Sequence, residues 1–422
     1  MIYVLLGFIV IIKATAYAYE YGIVYEISEN YYRESNFYRN NALIFDHDDE
    51  YNFISITPGL IFSAGNRLGG YFLADLSWFH YFDAKDNSDD IDINLIEAYL
   101  HLTLVKTSIQ VGQKSFLFGR GLIMDSDEPG VLLEFQPISR FYCSLESCKV
   151  WELSPIASIL LSYQLDFLEK VELFGVFCHD ADDGFAKMMN WINPSLLGNY
   201  FIDNIAGSSG DLFWYGLNAE LFIWNIYTSG IAIIQKGRET VTISYPFREE
   251  RVDFSINSYM IDMGIDYNLT DQISAGIFSI MSRGDMEPVR GEFSAFFSPL
   301  PNNTRMAIFF QGFGNQMPLD AFSLGGITLA GIIASGLRID YQPIDEILVE
   351  MNTGLLFPEE KPSRSRNYYG WETDLSLSYV ICDRCKLTIE ADFFKYGNYF
   401  VLPQRDYPNW ASRFMFCLNA SY

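Results

Sequence analysis

The residues in this chain best suited to act on a charged solute are carboxylates that recur at every second position between aliphatic neighbours. Asp374, Glu390 and Asp392 show the pattern most clearly, and Glu97, Glu172, Glu220, Asp262, Asp266, Glu292, Asp340 and Glu350 repeat it. Among the bases only Lys114, Arg305 and Arg338 hold matching positions, so the shared face carries eleven acids against three bases. Carboxylates gathered around enclosed water concentrate cations and exclude anions. Catalysis asks for something else: an acyl-transfer site needs Ser and His within hydrogen-bond reach. The histidines, His47, His80, His101 and His179, have no GxSxG-like context, so no catalytic residue is assigned and no enzyme is read. No cofactor motif is found.

Strands must position such a face, because only a period of two sends alternate residues to opposite sides. In 371–393, Leu375, Leu377, Tyr379 and Ile381 point one way with Leu387, Ile389, Ala391 and Phe393, while Asp374, Ser376, Ser378, Thr388, Glu390 and Asp392 point the other. The segment 96–114 reads as a hairpin of the same kind, with Ile96, Ala98, Leu100, Leu102, Ile109 and Val111 on its apolar side. Connections then sort by length. Short turns are expected at 63–67, 105–107, 168–170, 223–225, 269–272, 300–303, 342–345 and 382–385, and longer polar segments at 30–51, 83–92, 117–129, 179–210, 236–252, 314–325, 358–368 and 397–409. A soluble sandwich has no reason to sort its loops so; an outer-membrane barrel has short periplasmic turns and long outer loops.

Composition agrees. Half of the residues are hydrophobic and 17% aromatic, yet after the first eighteen residues no apolar run approaches the ~18 of a spanning helix. Residues 1–18 read as a secretory signal, apolar until Lys13 and ending Ala16-Tyr17-Ala18, with a retained membrane anchor as the alternative; 19–422 form the barrel. At roughly 45 residues per hairpin and loop, this predicts a transmembrane antiparallel up-and-down β-barrel of about 18 strands, within a range of 16–20. The stretch 130–154 is left open as one strand, two, or loop. The alternating end, Phe414, Phe416, Leu418, Ala420 and Tyr422, has the form of a barrel-assembly signal and closes the sheet against a first strand at 21–27. Outer-membrane lipid, lipopolysaccharide and the barrel-assembly machinery are the partners this implies. A net charge of −25 excludes nucleic acid.

The stretch VGQKSFLFGRGLIMDSDEPGVLLEF, beginning at Val111, resembles the alginate-export family of outer-membrane barrels. The matching residues are Gly112, Gln113 and Lys114, then Gly119, Arg120 and Gly121, then Asp125, Asp127, Glu128 and Gly130. The resemblance implies a barrel and the export of an exopolysaccharide. The chain departs from it in charge, since a polyanion such as alginate requires a basic lumen.

Further acid clusters, 46–50, 83–92, 125–128 and 180–183, all fall in expected outer loops; none has EF-hand spacing, and no metal site is read. Six cysteines suit an oxidising compartment, with Cys143–Cys148 and Cys382–Cys385 as possible disulfides and Cys178 and Cys417 unassigned. The loop 179–210 carries Phe185, Met188, Met189, Trp191, Ile192, Leu196 and Leu197, an apolar content that suits either a constriction folded into the barrel mouth or a partner-binding or lipid-facing flap. Two functions follow: a channel for cations or small neutral solutes such as sugars, or a structural or adhesive surface barrel acting through its loops.

Overall fold

The computed structural model describes residues 19–39, 44–64, 67–81, 89–150, 154–166, 169–181, 183, 185–186, 204–245, 248–285, 291–297, 331–361, 367–399 and 409–421. The strands are β1 (Tyr19–Arg39), β2 (Ile44–Ala64), β3 (Leu68–Tyr81), β4 (Asp89–Leu104), β5 (Thr107–Phe118), β6 (Met124–Ile138), β7 (Phe141–Val150), β8 (Ser154–Asp166) and β9 (Glu169–Asp180). They continue as β10 (Asn204–Ile223), β11 (Ile226–Tyr245), β12 (Arg248–Asn268), β13 (Ile273–Ser282), β14 (Glu292–Phe293), β15 (Ile332–Ile344), β16 (Ile347–Phe357), β17 (Gly370–Cys382), β18 (Cys385–Tyr396) and β19 (Trp410–Ser421).

Each wall strand pairs antiparallel with its neighbours in the sequence, β13 pairs directly with β15, and β1 pairs with β19 from Glu26↔Ser421 to Ser35↔Ser412. The result is a closed barrel of 18 strands without a free edge. The two-residue β14 is not a wall hairpin; it runs parallel to β12 at Ser255 and Ile256.

The outer surface explains why these sequences fold this way. Exposed Ile159, Leu161, Leu217, Met263, Ile265, Ile277, Leu337, Leu375 and Leu377 form an aliphatic belt. Tyr163, Tyr267, Tyr341 and Tyr379 border it near the short turns, and Trp78, Phe213, Trp371, Phe393 and Trp410 toward the long connections. Aromatic rings of this kind favour the two interfaces of a bilayer. From Trp371 to Tyr379 a tilted strand climbs about 20 Å, close to the height of such a belt. The barrel is therefore of outer-membrane type.

Several strands outrun the sequence expectations. Segments 30–51 and 236–252, read as long loops, are mostly the upper halves of β1, β2, β11 and β12. On the upper halves of β11 and β12 the outward positions turn polar, with Lys236, Arg238, Thr240, Asp253 and Ser255, while the inner face keeps buried Val241, Phe254 and Ile256, so the apolar-out alternation of the belt is lost while the hydrogen-bond ladder continues. The same reason shortens the 117–129 connection to 119–123. The open stretch 130–154 is a hairpin, β6 and β7, turning at Ser139-Arg140. The turn expected at 300–303 and the loop at 314–325 lie outside the described residues, as do residues 1–18.

Candidate functional site

Alternation puts the charged residues on the face opposite the belt, and the register aligns them into rows. One row runs from Arg413 on β19 through Asp392, Asp374, Asn352 and Arg338 to Gly276 on β13 and Asp266 on β12. The next row toward the short turns holds Glu390, Ser376, Glu350, Asp340 and Ser274. Each arginine bridges the two rows. Arg413 Nε donates to Asp392 Oδ2 at 2.8 Å, and its Nη2 stands 3.6 Å from Glu390 Oε2. Arg338 Nε donates to Asp340 Oδ1 at 2.9 Å and its Nη2 to Glu350 Oε1 at 3.0 Å.

Elsewhere on the inner face Lys170 pairs with Glu172 at 2.7 Å, and Asn218 Nδ2 donates to the other oxygen of Glu172, also at 2.7 Å. Glu220 is the cross-strand partner of Lys170, and Asp262 is buried opposite Ile231 and Ile280. Glu97 occupies the inner face of β4 opposite Leu73. Lys114 faces Glu128 across β5 and β6, donates to Gln110 at 3.2 Å and lies 5.3 Å from the centre of the Phe116 ring. Every one of these bases thus has at least one carboxylate partner in contact or in register.

The structure does not place two of the expected lining residues in the lumen. Glu292 is exposed in β14, where the parallel register gives it the outward position of Ser255 on β12 while Phe293 takes the inward position of Ile256. Arg305 lies outside the described residues. Arg413, Lys170 and Lys386 were missed as inner-face bases. Arg413 hides in a terminal strand whose aromatic alternation dominates the pattern, Lys170 in a stretch read as a turn, and Lys386 directly after one; the period-two spacing from Met415 to Arg413 and from Glu390 to Lys386 was the available signal.

The interior is narrowed by two segments. Trp214 and Gln235 face inward on β10 and β11, and both hold Phe297: Trp214 Nε1 donates to its carbonyl at 3.1 Å, and its N–H donates to Gln235 Oε1 at 3.2 Å. Phe185 packs against Phe293 and Phe297, with ring centres at 5.5 and 5.3 Å. The inward turn at Phe185 is fastened by acids: Asp180 Oδ2 accepts the Phe185 N–H at 3.1 Å and the Ser208 hydroxyl, and Asp183 Oδ1 accepts the Ser208 N–H at 2.8 Å. Part of the 180–183 cluster therefore builds a loop. Of the apolar residues expected in 179–210, Phe185 is the one within the described residues. The segment 292–297 was not expected at all, since no periodicity marks a strand that turns inward.

Near the short turns, a polar recess of about 620 Å³ is lined by Asn225, Asn268, Thr270, Gln272, Asp340 and Gln342 among others. Its amides and carboxylate suit hydroxyl or ammonium groups. Among the described residues no cluster of three or more His, Cys, Asp or Glu is arranged to hold a metal.

The motif at 112–130 has a structural account. Gly112 has φ +139° and lies so close to β4 that a Cβ would collide with the Ala98 carbonyl; it pairs with Gly130 across β5 and β6. Gln113 Nε2 donates to the Leu95 carbonyl at 2.8 Å. Gly119, Arg120 and Gly121 all take positive φ (59°, 57° and 82°), which reverses the chain and buries Leu122, Ile123 and Met124 in the interior. Asp125 and Asp127 belong to β6 rather than to a loop, opposite Leu117 and Ser115 on the outward side, whereas Glu128 faces inward with Lys114.

The cysteines correct one pairing. Cys143 and Cys148 share β7 five residues apart, on opposite faces, and two positions of one extended strand cannot bridge. Cys382 and Cys385 are direct cross-strand partners at the β17–β18 turn, and all six thiols are free in this structure.

By sequence the chain matches no known family profile and no curated protein. The alginate-export likeness therefore remains a local resemblance. By structure it is similar to outer-membrane proteins of Pseudomonas aeruginosa. OpdQ superposes with a TM-score of 0.57 at 10% identity, over 95% of this chain and 97% of that one. OccK5 (OpdH) gives 0.56 at 10% identity, over 94% and 97%. OpdK, solved with vanillate, gives 0.54 at 10% identity, over 95% and 98%. At such identity the likeness is one of fold: across nearly the whole of both chains, this chain has the fold of these outer-membrane barrels.

Proposed function

We propose that the barrel is a porin-like channel that passes cations and small neutral solutes through an acidic lumen. The observation that carries this is the pairing of the inner-face bases. Arg338 and Arg413 each meet two carboxylates, Lys170 meets Glu172, and Lys114 faces Glu128. Further carboxylates, Glu97, Glu220, Asp262, Asp266 and Asp374, share the lining. A polyanion entering such a lumen meets repulsion that no exposed row of bases offsets. This weighs against export of an alginate-like chain despite the 112–130 resemblance. Small solutes are favoured because Phe185, Phe293 and Phe297 narrow the interior to less than the barrel's full width.

Reversal potentials across a planar bilayer under a salt gradient test the proposal. Cation preference is expected, strongest at low salt because charge on the wall is screened over a Debye length of ~10 Å at 0.1 M. Lys114→Glu should increase it. An anion-selective pore refutes the reading, and a barrel that never conducts shifts the function to the surface loops.

A further inference from the structure

The outer face of β10–β13 changes character abruptly at one height. On β11 the outward residues Ile226 and Ile234 are exposed and apolar, and the next two outward positions are Lys236 and Arg238, both exposed. From Ile226 to Lys236 a strand tilted by ~40° climbs about 25 Å, the height of the apolar band of an outer-membrane barrel. Lys236 therefore stands where acyl chains give way to headgroups.

Its neighbours fit that level. Phe213 lies directly across from Lys236 on β10, with the Phe177 ring 4.9 Å beyond. On the other side the partner of Lys236 is Asn257. Arg283, one residue past β13, reaches back so that its Nη1 donates to the Asn257 carbonyl at 3.2 Å. Lys236 and Arg283 thus flank a single residue, and Arg238 stands one outward step above. The outward acids nearby stand at or above Arg238: Asp211, opposite Arg238, is held by His179 at 2.8 Å, Glu292 lies across Ser255 from Arg238, and Asp253 accepts the Thr240 hydroxyl at 2.8 Å, so the row of Lys236 and Asn257 holds no carboxylate. Among the described residues no ion pair engages Lys236, Arg238 or Arg283.

Three cations grouped on the lipid-facing side are unusual in a chain with 28 Lys+Arg against 53 Asp+Glu. The outward charges at the rim of β6, Asp125 and Asp127, have the opposite sign. We propose that Lys236, Arg238 and Arg283 form a binding site for the phosphorylated headgroup of an outer-leaflet glycolipid, lipopolysaccharide. A guanidinium fork matches phosphate oxygens through paired charge-assisted hydrogen bonds, and lysine adds a mobile point charge. Phe213 and Phe177 lie beside Lys236, where headgroups meet the first methylenes. The site rests on the membrane position of the barrel and not on what passes through it.

The test uses the full chain in detergent and two probes: bisphosphorylated lipid A, and the same lipid A with both phosphates removed. Native mass spectrometry at stepped lipid concentration gives the affinities. Wild type should prefer the phosphorylated lipid, and Lys236→Gln/Arg238→Gln/Arg283→Gln should weaken that binding by roughly tenfold or more while leaving the dephosphorylated lipid unaffected. Because Arg283 also bonds the wall, the double variant Lys236→Gln/Arg238→Gln keeps the test independent of folding. It should lose most of the preference with unchanged heat-modified gel mobility. Wild type binding both lipids alike, or variants as tight as wild type, overturns the site. Conductance of the variants should equal wild type, so failure here is distinct from failure of the channel reading.

Discussion

Replacing Asp340 and Glu350 by Asn and Gln provides a quantitative test of the acidic lumen. Both carboxylates hold Arg338, at 2.9 and 3.0 Å, and all three side chains are partly open to water, with 21%, 31% and 39% of their surface exposed. The double change turns a local charge of −1 into +1. An ion passing about 8 Å away interacts with each unit charge by about 0.5 kcal/mol at the dielectric constant of water, hence about 1 kcal/mol for the change of two. Screening at 0.1 M, where the Debye length is ~10 Å, leaves about 0.5 kcal/mol. That lowers cation occupancy about twofold and raises anion occupancy about twofold, so the cation-to-anion permeability ratio should fall about fivefold. The amide oxygens can still accept from Arg338, and none of the three residues faces lipid, so the barrel should assemble. The assay is the reversal potential in a KCl gradient, repeated near 1 M salt, where the Debye length is ~3 Å and the difference should nearly vanish. An unchanged ratio, or a shift toward cations, refutes the reasoning.

Other outcomes are as specific. Trp214→Phe removes the indole N–H that holds the Phe297 carbonyl, a loss of about 1 kcal/mol, and should raise single-channel conductance or its open-state noise; adding Gln235→Ala should extend the effect, and conductance identical to wild type would show that 292–297 does not narrow the path. Arg120→Gly relieves a left-handed non-glycine residue and should stabilise the barrel by about 0.5–1 kcal/mol, read as a higher urea midpoint for unfolding from detergent. Cys382 and Cys385 face each other across the β17–β18 turn, so mass mapping of protein from the oxidising compartment should find them joined, and Cys382→Ser/Cys385→Ser should conduct as wild type; free thiols or a bound metal would exclude the bridge.

The barrel class and its strand number were legible in the sequence because both depend on local periodicity. Alternation through 371–393 follows from the two-residue repeat of a strand, and the inward assignment of Asp374, Glu390 and Asp392 follows from a belt that must meet lipid. Turn positions at 105–107, 223–225 and 382–385 were readable because apolar alternation stops there on both sides. Apolar-out alternation says nothing about length above the bilayer, where the outward face of β11 and β12 turns polar, and so those upper halves, with those of β1 and β2, were mistaken for loops.

What the tertiary structure alone decided are the partnerships. Sequence spacing put Arg338 on the same face as Asp340, but only the register of β15 on β16 brings Glu350 to its other nitrogen. Arg413 lies twenty-one positions from Asp392 in the chain, and one hydrogen bond from it in the barrel. The inward segment 292–297 carries no local signature, because it is held by Trp214 and Gln235 from strands some sixty to eighty positions away. The cationic site at the rim is equally nonlocal: Lys236, Arg238 and Arg283 are unremarkable in sequence, and become one surface because β11, β12 and β13 lie side by side. A strand's face is set by its own repeat, whereas a neighbour is set by closure of the sheet.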